Sequence, residues 1–283
     1  MSAAQTDLAI SQKHESGIDT PRHRALPGSS LDEILKQSDK PLIAVDMDDV
    51  LSETNQAVAD WHNDVYDTNL DLSQFYYYHY WKNPGWGTPD ETFRKVEEIY
   101  ASDCLDKAKA TPGAFEALTK LKDWGYRLVV VTARQRRELE RSVRWLEKHF
   151  PGIFDDMICT GQSQETLADE HEALTKLSKA DVCKKLNAKF LIDDSLENAL
   201  LCVTHAEPIP VLLFGTSAWN VRVSNYKSVE DGLSFEQRLE KAGGREFWKD
   251  DVAAVPEGLP LTRVEGWEEV ILWVEKQRRE GKL

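Results

Sequence analysis

Asp46-Met47-Asp48-Asp49 packs three carboxylates into four positions, directly behind the apolar run Leu42-Ile43-Ala44-Val45. Acids crowded in this way repel one another, and the cluster is costly unless a cation or a proton settles it. For an all-oxygen site the simplest cation is Mg²⁺. A short continuous apolar run reads as a buried parallel strand, so the acids form the loop at its carboxyl end, where open α/β sheets place their ligands. Two further apolar runs end in the same manner. Arg127–Val131 runs into Thr132-Ala133-Arg134, and Lys189–Ile192 into Asp193-Asp194-Ser195. Lys179 opens the helical segment before the latter, with Lys176 the second choice among the neighbouring lysines. Brought to one edge, Asp46, Asp48, Asp193 and Asp194 can hold Mg²⁺, Thr132 can donate to an anionic oxygen, and Lys179 can balance charge.

The elements that must position these residues alternate along the chain. Strands are expected at 41–45, 127–132, 157–161, 189–192 and 210–215. Between them, apolar residues at helical spacing predict helices at 53–66 (Val58, Trp61, Val65), 89–100 (Phe93, Val96, Tyr100) and 138–150 (Leu139, Val143, Leu146, Phe150). Shorter helices are expected at 178–186, 196–202 and 235–242, and a last one at 266–277 faces Trp267, Val270, Ile271 and Val274 inward. Thr111-Pro112 reads as an N-cap with Pro at the first helical position, opening a helix that buries Phe115, Leu118 and Leu121 before Gly125 ends it. Ser30-Leu31-Asp32-Glu33 has the form of a capping box for a helix reaching Gln37. The pattern predicts an α/β fold, a doubly wound Rossmann-like parallel sheet. One crossover, 50–126, is far longer than a single helix needs, so residues 55–111 are expected to form an inserted small helical cap over the site. The core is then 30–54 and 112–283, with 219–258 a peripheral insertion of mixed character and 1–29 a polar, disordered arm.

Composition bounds the function. A chain of 283 residues, 41% hydrophobic and 30% charged, reads as soluble and globular with a substantial core. Its net charge of −14 argues against a nucleic-acid polymer or an anionic membrane as partner, while one local site can still take a small phosphate ester. Cys104, Cys159, Cys183 and Cys202 form no CxxC pair, which points to a reducing, cytoplasmic setting. The amino terminus lacks an apolar signal region and no run approaches membrane-spanning length. No HExxH spacing, Gly-x-Ser-x-Gly elbow or Walker loop is present.

Taken in order, Asp46-x-Asp48, Thr132, a lysine and the pair Asp193-Asp194 resemble the four signatures of the haloacid dehalogenase superfamily of aspartate-nucleophile phosphohydrolases. The likeness covers roughly 41–215 and is nearest in layout to the 5′(3′)-deoxyribonucleotidase-like branch, whose cap follows the first signature. The resemblance implies a Mg²⁺-dependent phosphatase acting on a small phosphate monoester such as a nucleoside monophosphate. It implies Asp46 as nucleophile, Asp48 as general acid and base, Thr132 and Lys179 as phosphoryl and charge stabilisers, and Mg²⁺ on Asp46, the Asp48 carbonyl and one or both of Asp193 and Asp194. An acid at position 48 favours a phosphatase over a dehalogenase. Asp49 departs from the pattern, standing where the family usually has glycine.

Other readings stand beside these. Asp193 competes as an N-cap for the following helix. Ala133 and Arg134 are candidates for substrate contact, Arg134 with an exposed salt bridge as its plainer role. Within Phe75–Trp81, the residues Phe75, Tyr78 and Trp81 could wall a pocket or build the cap's own core. Asp49, the arm and the extra carboxyl-terminal segment motivate a non-catalytic phospho-ligand binder as an alternative, and a phosphoprotein phosphatase is a third reading.

Overall fold

The computed structural model describes residues 31–36, 38–161, 177–224 and 229–283. The expected arm, the Ser30 cap, the 162–172 loop and Lys176 lie outside them. In chain order the described elements are α1 (Leu31–Lys36), β1 (Leu42–Val45), α2 (Thr54–Tyr66), α3 (Pro89–Ala101), α4 (Cys104–Lys107), α5 (Ala114–Asp123), β2 (Arg127–Thr132), α6 (Leu139–His149), β3 (Asp156–Cys159), α7 (Lys179–Lys185), β4 (Ala188–Asp193), α8 (Leu196–Val203), β5 (Val211–Phe214), α9 (Phe235–Lys241), β6 (Leu261–Val264) and α10 (Trp267–Arg279). Among the described residues no helix is long and apolar enough to cross a membrane.

Six strands form one sheet in the order β3-β2-β1-β4-β5-β6, every adjacent pair parallel. This is the doubly wound arrangement, and its direction reverses between β1 and β4, the crevice where such sheets bind ligands. The apolar runs are continuous because both faces of the sheet are covered. Ile43, Val45, Leu128, Val130, Phe190 and Ile192 point to one core with α5, α6 and α10. Leu42, Ala44, Val129, Val131 and Leu191 point to the other, with Ile34, α7 and α8. The strand period of two thus assigns neighbouring residues of β1 to opposite cores.

Between β1 and β2 the chain builds a third hydrophobic cluster of its own. Val58, Ala59, Leu70, Phe75, Trp86, Ile99, Cys104 and Leu105 form it, joined by Trp219 from far along the sequence. The two connections to this segment run side by side: Glu53 N–H donates to the Lys109 carbonyl (2.8 Å) and Thr111 N–H to the Leu51 carbonyl (2.9 Å).

Four local expectations are corrected. Thr111 is not the N-cap of α5, because its backbone is committed to the Leu51 pairing; the cap is Gly113 at φ +76°, leaving Pro112 outside the helix. The helix therefore buries Ala114, Ala117, Leu118 and Leu121, while Phe115 is 41% exposed. Val65 is likewise exposed on α2, whose buried residues are Thr54, Val58, Ala59 and His62. A sixth strand, Leu261–Val264, extends the sheet beyond β5.

Candidate active site

Asp46 follows β1 immediately and lies at the switch point beside β4, its N–H donating to the Ile192 carbonyl at 2.9 Å. Its side chain is 3% exposed; one carboxylate oxygen accepts the Met47 N–H (2.7 Å) and the other receives the Lys179 ammonium (2.7 Å). Lys179 opens α7 as expected, behind a capping box made by Ser178 and Asp181. It is 1% exposed and reaches across to Asp193 Oδ2 as well, again at 2.7 Å. Burial works against the Lys179 charge, but Asp193 and Asp46 outweigh it and hold the ammonium protonated. For Asp46, burial dominates and, with the Asp193 and Asp48 charges, pushes the carboxyl up to about 7 against the pull of Lys179.

Asp193 ends β4, where its Oδ1 accepts the Ser195 N–H (2.9 Å). The N-cap of α8 is Ser195, whose hydroxyl accepts the Asn198 N–H, so Asp193 does not fill that role. Asp194 is buried, and one of its oxygens accepts the indole N–H of Trp219 at 2.6 Å. Burial first, then the Asp49, Asp46 and Asp193 charges, drive the Asp194 carboxyl well above its ordinary range. Asp46, Asp193 and Asp194 each offer an oxygen within 4.8 Å of the others. An all-carboxylate set this close, with a single lysine between two of its members, fits a hard divalent cation by donor chemistry and by its unbalanced charge.

Asp48 turns away from that triad. Its carboxylate receives the Thr54 hydroxyl (2.6 Å) and is gripped by Arg134 through Nε (3.1 Å) and a second guanidinium nitrogen (2.6 Å). Burial opposes the Asp48 charge, yet the Arg134 pair and the Thr54 bond hold its carboxyl below the usual range. Arg134 is 5% exposed and also donates to Ser142 Oγ (2.9 Å), so its ion pair with the half-buried Asp48 is partly buried rather than the exposed pair expected. Thr132 ends β2 fully buried, its Oγ accepting the Arg134 N–H at 3.2 Å; Ala133 between them is buried too.

The aromatic run divides by side chain. Phe75 is walled in by Tyr80, Trp86 and Trp219, so it builds the core of the cluster and offers no pocket face. Trp81 stacks on His79 at 4.4 Å and donates its indole N–H to the Asp231 carbonyl (2.8 Å), which places it at a packing contact as well. Tyr78 faces the acids: burial, then Asp46, Asp194, Asp193 and Asp48 in turn, push its hydroxyl well above the ordinary tyrosine range. Tyr76 and Tyr77 do something the sequence did not announce. Tyr76 stacks on Trp248 (4.8 Å, 18°) and the Tyr77 hydroxyl donates to Asp251 (2.8 Å), docking the carboxyl-terminal segment. A surface recess of about 310 Å³, lined by Lys82, Asp231, Arg238, Phe247 and Asp251 among others, lies at this junction and includes none of the acids above.

Trp219 and the Arg134–Asp48 clamp are the functional-site features that sequence reading missed. Their partners lie 25 and 86 positions away in the chain, so no local pattern could have announced them.

A relative from Oceanobacillus iheyensis, provisionally designated a nucleotidase, is 27% identical over 110 residues, 36% of this chain and 56% of the relative. The chain thus spans little more than half the length of that curated relative. Among solved structures, a phosphatase assigned by prediction from Clostridium acetobutylicum covers 84% of this chain and all of its own, at 15% identity and a TM-score of 0.49. A haloacid-dehalogenase-superfamily hydrolase from Geobacter sulfurreducens covers 82% and 98% at 13% identity and a TM-score of 0.45. The assignment rests on neither, but on residues 40–201, which match the profile of the 5′ nucleotidase, deoxy (pyrimidine), cytosolic type C proteins. That match takes in more than half of the chain, which therefore belongs to this family.

Proposed function

We propose that the protein is a Mg²⁺-dependent phosphatase that hydrolyses a small intracellular phosphate monoester, a nucleoside monophosphate in the first instance, through an aspartyl-phosphate. The observation that carries this reading is the Lys179 bridge. One ammonium binds both Asp46 and Asp193 at 2.7 Å, and Asp194 offers an oxygen within 4.8 Å of theirs. The nucleotide preference follows the description of the matched family.

In this reading Asp46 attacks phosphorus with a carboxylate oxygen. The bond from phosphorus to the ester oxygen breaks as the bond to Asp46 forms. Asp48 is ionised in the Arg134 clamp, so it must first take up a proton from solvent as the clamp loosens; it then passes that proton to the leaving oxygen and takes one back from the water that cleaves the aspartyl-phosphate. The Thr54 bond and the Arg134 clamp set where that proton is handled. Thr132, Lys179 and the backbone around Ala133 hold the phosphoryl oxygens, Lys179 offsetting charge that builds in transfer. Asp46, Asp193, Asp194 and the carbonyl of Asp48 would hold Mg²⁺, which when bound neutralises phosphoryl charge. Residues 55–111 act as a small helical cap, and its Tyr78 feels the charges of Asp46, Asp194, Asp193 and Asp48. The four free cysteines accord with a reducing, cytoplasmic location.

A screen of nucleotides, sugar phosphates and other small esters with Mg²⁺ tests the proposal, with Asp46→Asn as control. Turnover that needs Mg²⁺ and falls at least about 10³-fold in Asp46→Asn is expected. Equal rates for the two proteins would sink the aspartyl-phosphate mechanism.

A further inference from the structure

We propose that Trp219 is a positioning residue for the metal site, orienting Asp194 as a ligand from within the hydrophobic cluster of the inserted segment. This rests on the metal reading given above. The Trp219 indole N–H donates to Asp194 Oδ2 at 2.6 Å, and both side chains are nearly sealed from solvent. An indole is suited to this task by what it lacks. It has one donor, no lone pair to coordinate with and no charge, so it fixes a carboxylate without competing for the cation as a lysine would. With one oxygen held, the plane of the Asp194 carboxylate is set, and that carboxylate offers an oxygen within 4.8 Å of oxygens of Asp46 and Asp193.

Trp219 is itself held from two directions. It lies in the short 3₁₀ turn Ala218–Val221, and the next residue, Asn220, donates its side-chain amide to the Phe214 carbonyl (2.6 Å) and the Gly215 carbonyl (2.9 Å) at the end of β5. On the other side its ring meets Phe75 edge-on, with centroids 6.5 Å apart, inside the cluster that also contains Val58 and Trp86. Partners of this kind, one bond behind a metal ligand, typically change metal affinity by 10- to 100-fold. The segment after β5, which has no counterpart among the four signatures, thereby acquires a role at the site.

Trp219→Phe keeps most of the ring and removes only the donor. Isothermal titration of the full-length protein with Mg²⁺ is expected to give a dissociation constant raised about tenfold in Trp219→Phe. In an Asp194→Asn background the same change is expected to alter affinity less than about twofold, since the two act through one carboxylate. Unchanged Mg²⁺ affinity in Trp219→Phe overturns the proposal, as does a full tenfold loss in the Asp194→Asn background. Absence of Mg²⁺ binding by the wild-type protein overturns the metal reading itself, and is seen without any variant. Should Trp219→Phe fail to fold, ¹H–¹⁵N spectra of the wild-type indoles decide. One indole N–H resonance that shifts on Mg²⁺ addition, with the calorimetric constant, is expected, and no responding indole overturns the proposal.

Discussion

Asp49 holds φ at +56°, a left-handed conformation that glycine adopts freely and that Asp and Asn tolerate best among the rest. The position therefore asks for what the family's usual glycine supplies, and Asp49 meets the demand in a second way. Its carboxylate accepts the Asn55 N–H at 3.0 Å, at the start of α2, whose own N-cap residue Glu53 makes no side-chain bond. The departure from pattern leaves the loop intact, which removes the ground for treating it as the mark of a non-catalytic binder. Asp49→Gly and Asp49→Ala both lose the capping carboxylate, but only alanine keeps a Cβ in the left-handed region. Urea unfolding is expected to find Asp49→Ala less stable than Asp49→Gly by about 1 kcal/mol, and equal stabilities would show that the backbone is not the constraint. At this scale the acids, Thr132 and Lys179 were legible because each ends or opens a run whose apolar character is local. The bonds made by Arg134 and Trp219 were not, because they join residues that only the folded sheet brings together.

Among the elements, the four central strands were readable as unbroken apolar runs, since both faces of the sheet are buried. The edge strand Leu261–Val264 was not, because only Val264 is fully buried and the run sits among glycine and proline. Helix α2 carries a different kind of information. His62 is fully buried on it, with Nδ1 2.7 Å from Thr68 Oγ and Nε2 3.1 Å from the Lys95 ammonium. The ammonium can only donate, so Nε2 accepts, and the neutral ring donates from Nδ1 to Thr68. Burial, and then the Lys95 charge, push the His62 pKa down to about 4 from 6.5. Between those values the unfolded chain binds a proton that the folded chain refuses. The contribution is whole above pH 6.5 and is lost as pH falls toward 4, with His79, also pushed down to about 4 by burial and Lys82, adding to the slope. His62→Gln is expected to lose less stability than wild type between pH 7 and pH 5 in urea unfolding. An identical pH dependence in the two proteins would mean that His62 does not titrate in this window.

Across the whole molecule, the inserted segment is fastened at both ends of the sequence order. Its two connections pair with each other at the sheet, while its aromatic run and the residues just after it are bonded to Asp231, Glu236 and Asp251. Trp81 and Lys82 both reach Asp231, Gly85 N–H donates to Glu236 (3.0 Å), and Tyr77 to Asp251. Lys82 is 3% exposed, so Asp231 neutralises an ammonium largely removed from water. Asp231→Ala is expected to cost about 3 kcal/mol in unfolding free energy, and adding Lys82→Met to recover much of it, because the buried charge then departs with its partner. A double variant no more stable than Asp231→Ala would refute this account of the contact. The same fastening has a consequence for biosynthesis. Trp81 and the carbonyl it bonds are 150 positions apart, so at about 5–20 residues per second the aromatic run leaves the ribosome about 8–30 s before its partner exists. During that interval a stretch of seven residues with six aromatic side chains, Phe75 to Trp81 with only His79 among them, has no finished surface to pack on, and it is there that a nascent chain of this protein would call on a chaperone.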